Sequence, residues 1–592
     1  MRYSTIPLAQ TIILHCKAKG VQNIVISPGS RNAPLTIGFS ENPFFKCFSI
    51  VDERCAAFFS LGIAQYLQEP VALVCTSGSA LLNYYPAVAE AFYSNIPLIV
   101  ISADRPSYKI DIGDGQTIRQ DDVFHRHIGF SVNLKQDVSH AVEKVKKYAP
   151  YLITENTVEN TQEKIQSFND TSLNEAINLA YTHNTPVHIN VPFEEPLYDF
   201  IDEGTVQPNI VFNQEKDLSS SLDLEHLTSI WKTAKRKLVL VGVSHPNSID
   251  QEVLDILAND PSVIVFTETT SNLHHPNFFP SIDTLVAPIE KLDQKDDLFR
   301  KLQPEILLTF GGLIVSKKIK AFLRQYKAEQ HWHVDEIKAY DTFFSLSHHI
   351  KLDPNRFLKL ILSDVYRENT KGNYRDYWQN IKENFRSKRL EYIHRIPFSD
   401  LLAFYYIGSS VPRDYQLHLA NSSTIRYAQL FNWHPSIKMF CNRGASGIDG
   451  STSTAIGASV YSKKPTLLIT GDLSFFYDSN AFWNGHVRSD FRILLINNGG
   501  GGIFRILPGK EDTPNFETYF ETVQNLDAKH ICNLYGFEHT EVSGSKDLED
   551  ALKFFYEQSD KPKLLEIRTP RLLNDKILLG YFDFLSSDFI NH

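Results

Sequence analysis

Several things are missing or scarce in this chain, and each narrows what it can do. No apolar run approaches the length of a membrane span. Basic excess is absent: 59 Lys and Arg face 69 Asp and Glu, for a net charge of −10. That balance excludes a general nucleic-acid binder, which needs a basic surface. The six cysteines (Cys16, Cys47, Cys55, Cys75, Cys441 and Cys532) form no CxxC pair and no metal-ligand spacing. They read as reduced, packed thiols rather than a disulfide framework or zinc site. Low-complexity tracts are lacking. The opening stretch, MRYSTIPLAQTIILHCKAKG, is amphipathic with only a short apolar run, unlike a secretory leader. A cytoplasmic protein with no membrane span is the expectation.

What is present is globular: 42% hydrophobic and 22% charged residues over 592 positions, enough for about three to five domains. Three blocks emerge. The first, 1–198, carries apolar strand candidates at Asn23–Ser27, Cys47–Val51, Val71–Cys75, Leu98–Ser102 and Val187–Val191, most of them separated by helical patterns. Its polar stretch Tyr148–Asp170 reads as a surface excursion. A polar linker, Glu203–Leu222, leads to the second block, 220–370, with strands at Lys237–Val243, Ser262–Glu268, Ile306–Gly312 and His331–Asp335. A charged helical connector, Tyr374–Arg395, precedes the third block, 396–592. Strand–helix alternation of this kind predicts an α/β fold of three Rossmann-like domains with parallel sheets.

The densest chemistry lies between Thr466 and Phe504. An apolar strand ends on Gly471-Asp472. A helix-like segment follows, and a second apolar strand ends on Asn497-Asn498 and four glycines. Asp472 and Asn498 are 26 residues apart, the room one strand–helix–strand unit needs. Both therefore reach the carboxyl edge of one sheet, where open α/β sheets bind ligands. A carboxylate, an amide oxygen and nearby carbonyls form a hard-oxygen set suited to Mg²⁺ held jointly with a diphosphate. The alternative is an ordinary βαβ unit with polar strand ends. The glycine run lacks GxGxxG spacing, which argues against a nicotinamide site.

GD, this spacing and then NN resemble the signature of thiamine-diphosphate (ThDP) enzymes. GDLS and the string NRGASGIDG at Asn442–Gly450 are similar to the 2-succinyl-5-enolpyruvyl-6-hydroxy-3-cyclohexene-1-carboxylate synthase family of menaquinone biosynthesis. The resemblance spans nearly the whole chain. It implies pyrimidine-binding (1–198), central (220–370) and diphosphate-binding (396–592) domains. It also implies ThDP with Mg²⁺, Mn²⁺ being the alternative ion, and a homodimer or tetramer with sites at subunit interfaces. The implied reaction decarboxylates 2-oxoglutarate and adds the succinic-semialdehyde carbanion equivalent to isochorismate. Two other readings stand beside it. One is a different ThDP-dependent 2-oxo acid decarboxylase or acetolactate-type synthase. The other is a non-catalytic ThDP-fold binding protein.

The resemblance also assigns residues. Glu53, just after a strand and opening a small-residue helix, takes the place of the glutamate that activates the aminopyrimidine. Asp52 beside it competes for the role of helix-terminal acid. Asp472, Asn498 and the Gly500 carbonyl become metal ligands. Gly471, Leu473, Ser474, Ser422 and Ile448 become cofactor contacts, with Ile448 the wedge between the cofactor rings. Arg31, Arg105, Gln116, Arg426 and Arg443 become catalytic substrate contacts. Ser422, Lys317, Lys318, Ile503 and Phe504 complete the substrate surface. Lys318 stands where the family often has Arg, which puts bidentate carboxylate binding there in doubt. Gly499 and Gly502 replace polar family residues, and the added glycines predict a more mobile loop.

Overall fold

The computed structural model describes residues 2–213, 223–363, 372–507, 513–587 and 589. Three parallel sheets dominate it. The first contains β1 (Asn23–Ile26), β2 (Lys46–Ser49), β3 (Val71–Cys75), β4 (Leu98–Asp104), β5 (Phe130–Asn133) and β6 (Val187–Pro192), in the order β2-β1-β3-β4-β6-β5. The second contains β7 (Lys237–Val241), β8 (Val263–Thr267), β9 (Ile306–Phe310), β10 (Gln330–Val334) and β11 (His348–Ile350), in the order β8-β7-β9-β10-β11. The third contains β12 (Gln416–Leu419), β13 (Lys438–Phe440), β14 (Thr466–Gly471), β15 (Arg492–Asn497), β16 (Glu538–Val542) and β17 (Lys563–Arg568), in the order β13-β12-β14-β15-β17-β16. The first and third sheets thus share one strand order, the common plan legible in their sequences. The inner strands β3, β4, β14 and β15 are buried almost throughout, and their near-continuous Val/Ile/Leu runs are what a two-sided parallel sheet demands.

Two compact units are distinguished. One comprises 1–215, 444–463 and 477–488; the other comprises 216–443, 464–476 and 489–592. The first unit holds the first sheet, α1 (Glu53–Leu67), α2 (Tyr85–Ser94), α3 (Val158–His183) and, from far along the chain, α7 (Ser451–Ser459). The second unit holds the other two sheets with α4 (Lys317–Gln325), α5 (Tyr374–Ile393) and α6 (Ser423–Ala428).

Helices α1 and α7 touch backbone to backbone. A Cβ on Gly62 would fall 2.0 Å from the Thr454 carbonyl oxygen, and one on Gly457 would fall 2.0 Å from that of Phe59. The Gly62 position lies against the backbone of Thr454 and Ala458, and the Gly457 position against that of Phe59, so a side chain at either glycine would hold the helices apart. The small-residue character of α7 is therefore explained by its packing on α1.

Two sequence expectations need correction. Much of the stretch Tyr148–Asp170 belongs to α3, which begins at Val158 and buries Thr161, Ile165, Asn169 and Asp170. Its apolar stripe is sparse, and polar side chains such as Asp170, which accepts from His15 at 2.9 Å, fill the packed face instead. The linker from Glu203 is tied down over its first half. Asn174 of α3 accepts from Val211 N at 2.9 Å, and Gln10 accepts from Thr205 N at 2.8 Å. Its remainder, 214–222, lies outside the described residues.

Candidate active site

In the first unit, β2 delivers the chain to Asp52-Glu53. Asp52 is the N-cap of α1: its carboxylate accepts from Cys55 N at 3.0 Å and from Asn480 Nδ2 at 2.8 Å. Glu53, the next residue, is half-buried. Among the described residues its carboxylate has no hydrogen-bond or ion-pair partner. Its charge is felt by the Cys75 thiol and the Tyr84 hydroxyl, both pushed up chiefly by burial. The cap and the unpartnered acid are thus separate residues.

Arg31 and Arg105 gather at the carboxyl edge of the same sheet, near enough to repel one another. Arg105 donates to the Gln116 carbonyl at 2.8 Å and to Ser77 Oγ, and its pKa is lowered by desolvation and by Arg31. Gln116 itself is exposed, with φ +55°. Arg31 is buried and its head is largely spoken for: Nη1 donates to the Phe193 carbonyl at 3.1 Å and Nη2 to Glu195 at 2.8 Å. Glu195 lies 164 positions away, too far for any local pattern to reveal that it claims this arginine. Gln120, four residues on from Gln116, is buried: it accepts from Gly78 N at 2.9 Å and donates to Asn190 at 2.8 Å. Ile448 is half-buried in the loop Gly444–Gly450.

In the second unit, β14 and β15 pair in parallel, with Gly471 opposite Ile496, and so bring Asp472 and Asn498 to one edge. Asp472 Oδ2 accepts from Gly500 N at 2.8 Å and from Gln524 Nε2 at 2.8 Å, while Oδ1 accepts from Leu473 N at 2.7 Å. Asn498 donates to buried Asp400 at 2.9 Å, and Asp400 also accepts from Thr569 Oγ1 at 2.5 Å. Asp400 was hidden in sequence because Ser399-Asp400 looks like an ordinary helix start. Burial pushes Asp472 up to about 6 against those hydrogen bonds. A cation bound beside it would favour the charged form. The donor set of carboxylate, amide and carbonyl is the hard-oxygen chemistry of Mg²⁺, so the residues fit that ion and a diphosphate bound with it. The Gly500 carbonyl also accepts from Gly502 N at 3.0 Å. Leu473 is half-buried and Ser474 buried beside Asp472, with Gly471 just before them.

Close approach accounts for Gly500 and Gly501, the middle and end of Gly499–Gly501. Gly500 has φ +142°, and a Cβ there would fall 2.7 Å from the Glu521 carbonyl oxygen. They let the loop lie against the backbone of Glu521 and Thr522. Ile503 and Phe504 fall in a short 3₁₀ turn, Gly502–Ile506, and Ile503 lines a small void with Arg426, Tyr427 and Asn574.

Ser422 caps α6 with φ +67°, a strained left-handed conformation for a side-chain-bearing residue. Arg443 donates to Asn421 at 2.6 Å. Arg426 is held below the usual arginine range by desolvation and then by Arg443, with half-buried Asp283 and buried Glu268 opposing. Burial raises Glu268 to about 7 although it accepts from Val315 N and Ser316 N at 2.7 Å each. The predicted lysine pair sits differently. Lys317 is exposed and Lys318 is paired with Glu290. The lysine of α4 that shares the field of Arg426 and Arg443 is Lys320, half-buried and lowered by desolvation. Lys320 stands two positions beyond the adjacent pair on the same helix, where no motif marks it in the sequence.

Residues 6–126 match the N-terminal TPP-binding domain of thiamine pyrophosphate enzymes, and 421–567 match the C-terminal one; thiamine pyrophosphate is ThDP. The chain is 54% identical to the 2-succinyl-5-enolpyruvyl-6-hydroxy-3-cyclohexene-1-carboxylate synthase of Christiangramia forsetii, over 99% of this chain and 100% of the relative. It belongs to that family of ThDP enzymes. The synthase of Flavobacterium johnsoniae is 52% identical over 99% of this chain and 100% of its own length. That of Porphyromonas gingivalis is 37% identical over 96% of each. Family membership places ThDP chemistry at this fold. Among the described residues no helix is long and apolar enough to cross a membrane.

Proposed function

We propose that this chain is a ThDP- and Mg²⁺-dependent enzyme that decarboxylates 2-oxoglutarate and adds the succinic-semialdehyde unit to isochorismate, releasing CO₂. The full-length similarity to the synthases carries this reading. The first, second and third sheets correspond to pyrimidine-binding, central and diphosphate-binding domains. Asp472, Asn498 and the Gly500 carbonyl would hold the metal, with Ser422, Gly471, Leu473 and Ser474 about the diphosphate and Ile448 against the cofactor rings. When bound, ThDP supplies the electron sink that 2-oxo acid decarboxylation requires.

The remaining work falls to side chains. Glu53 holds or releases a proton toward the aminopyrimidine, a task suited to a carboxylate that no protein donor or cation claims. Both substrates are multiply anionic. Arg426, Arg443 and Lys320 lie in one another's field in the second unit, and Arg31, Arg105 and Gln116 gather in the first. These side chains, five of them cationic, bind and orient carboxylates. Ile503 and Phe504 give an apolar wall to the cyclic substrate. The working form is a cytoplasmic homodimer or tetramer.

The test is a coupled assay on purified protein. ThDP, Mg²⁺ and 2-oxoglutarate are supplied with and without isochorismate, and the adduct is followed by mass. Adduct formation that requires ThDP is the expected result. Decarboxylation indifferent to isochorismate would instead place the chain among general 2-oxo acid decarboxylases. ThDP binding without turnover would make it a binding protein.

A further inference from the structure

The loop Gly444–Gly450 is gripped from outside its own part of the sequence. Glu90, on α2, is 2% exposed. Its Oε1 accepts from Gly444 N at 2.6 Å, and its Oε2 accepts from Ala445 N at 2.7 Å and Ser446 N at 3.2 Å. Ser94 Oγ donates to Oε1 at 2.7 Å. Among the described residues no cation pairs with Glu90. A buried carboxylate of this kind is tolerable only when its lone pairs are filled. Here three consecutive backbone N–H groups fill them, each a charge-assisted bond.

The loop's shape depends on that grip. Ser446 sits at φ +62°, a left-handed conformation that costs a side-chain-bearing residue free energy. A Cβ on Gly444 would fall 2.5 Å from the Glu90 carbonyl oxygen, so no other residue fits so close to α2. At the far end, a Cβ on Gly450 would fall 2.1 Å from the Phe58 ring of α1. The loop is therefore fixed at its start by α2 and at its end by α1, the helix that begins with Glu53. Ile448 lies between these two anchor points.

We propose that Glu90 is a positioning residue: its carboxylate sets the conformation of Gly444–Ser446 and thereby the placement of Ile448 against the cofactor. The claim rests on the reading of Ile448 given above. Glu90 acts through the loop and touches neither substrate nor cofactor. In Glu90→Gln the size is kept, but the amide presents a donor to one side of a three-donor array.

Three readouts on Glu90→Gln, with Ser94→Ala as control, decide it. Hydrogen exchange at Gly444–Ser446 should rise at least tenfold, with exchange in β1, β3 and β4 unchanged. The dissociation constant for ThDP, measured calorimetrically with Mg²⁺, should rise about tenfold. The kcat should fall roughly 10- to 100-fold with the KM for 2-oxoglutarate within about threefold, the signature of misplacement rather than lost substrate binding. Ser94→Ala, at a side chain that packs beside Gly444, removes one bond to the same carboxylate but leaves its three bonds to the loop N–H groups, and should leave all three readouts within about twofold. If Glu90→Gln does not fold, Glu90→Asp, which keeps the charge on a shorter stem, carries the same comparison with smaller changes. Unchanged loop exchange, or a loosened loop with unchanged kcat and ThDP affinity, overturns the proposal, as does exchange rising evenly through the first sheet. A wild-type chain that binds ThDP but makes no adduct would sink the functional reading, while loop exchange and ThDP affinity would still judge Glu90.

Discussion

Replacing Glu53 with glutamine should separate chemistry from stability. The side chain is half-buried, has no hydrogen-bond or ion-pair partner among the described residues, and keeps its size in the amide. No cavity opens and no bond is lost. What disappears is one negative charge in the first turn of α1, worth about 0.3–1 kcal/mol and screened by partial exposure. For a unit of this size that moves a thermal midpoint by no more than about 2–4 °C. Loss of a positioned acid–base group costs about 10²–10⁴ in rate, which is roughly 3–5 kcal/mol on the barrier. Asp52→Ala is the mirror image. It weakens a cap bonded to Cys55 N and Asn480, so it should cost about 1 kcal/mol of stability and leave most of the turnover. Adduct formation by mass and the midpoint by calorimetry, on both variants, make the test. Glu53→Gln with turnover within tenfold of wild type, or with a midpoint lowered by much more than about 4 °C, would refute the assignment.

Three further outcomes follow from the same geometry. Lys320→Ala should raise the KM of an anionic substrate about 10- to 100-fold, the value of a hydrogen bond to a charged group, while Lys317→Ala stays within about threefold; steady-state kinetics with each substrate varied checks this, and equal effects would contradict it. Gly500→Ala places a Cβ 2.7 Å from the Glu521 carbonyl at φ +142°, so the thermal stabilisation given by ThDP with Mg²⁺ should be lost, as read by scanning fluorimetry. Asp478 is buried and raised to about 7 by desolvation, against bonds from Ser453 N at 2.7 Å and Ser453 Oγ at 2.8 Å. Because its folded pKa lies above its unfolded one, its contribution is fully present below about pH 4 and is lost as pH rises through about 7. Asp478→Asn should therefore gain midpoint relative to wild type at pH 8 compared with pH 5; a gain independent of pH would overturn that reasoning.

The sequence disclosed what is local or periodic. The apolar runs that became β3, β4, β14 and β15 could hardly be anything but buried strands, and the 26-residue step from Asp472 to Asn498 required parallel neighbours. Partnerships made across long separations left no local signal. Glu195 takes Arg31 from 164 positions away, and Glu90 holds Ala445 across 355. Nothing in YPAVAEAFYS distinguishes Glu90 from any acid on an amphipathic helix. Glycines were ambiguous for the same reason. A run of four reads as freedom until the carbonyl of Glu521 is found where a side chain would go. The lysines of α4 add a further point: the adjacent pair was conspicuous as a motif, yet neighbours in sequence point to different sides of a helix. A substrate charge is read by the side chain that desolvation leaves in need of a counter-ion. On α4 that is Lys320, and the contrast between Lys320→Ala and Lys317→Ala is where motif and field make opposite predictions.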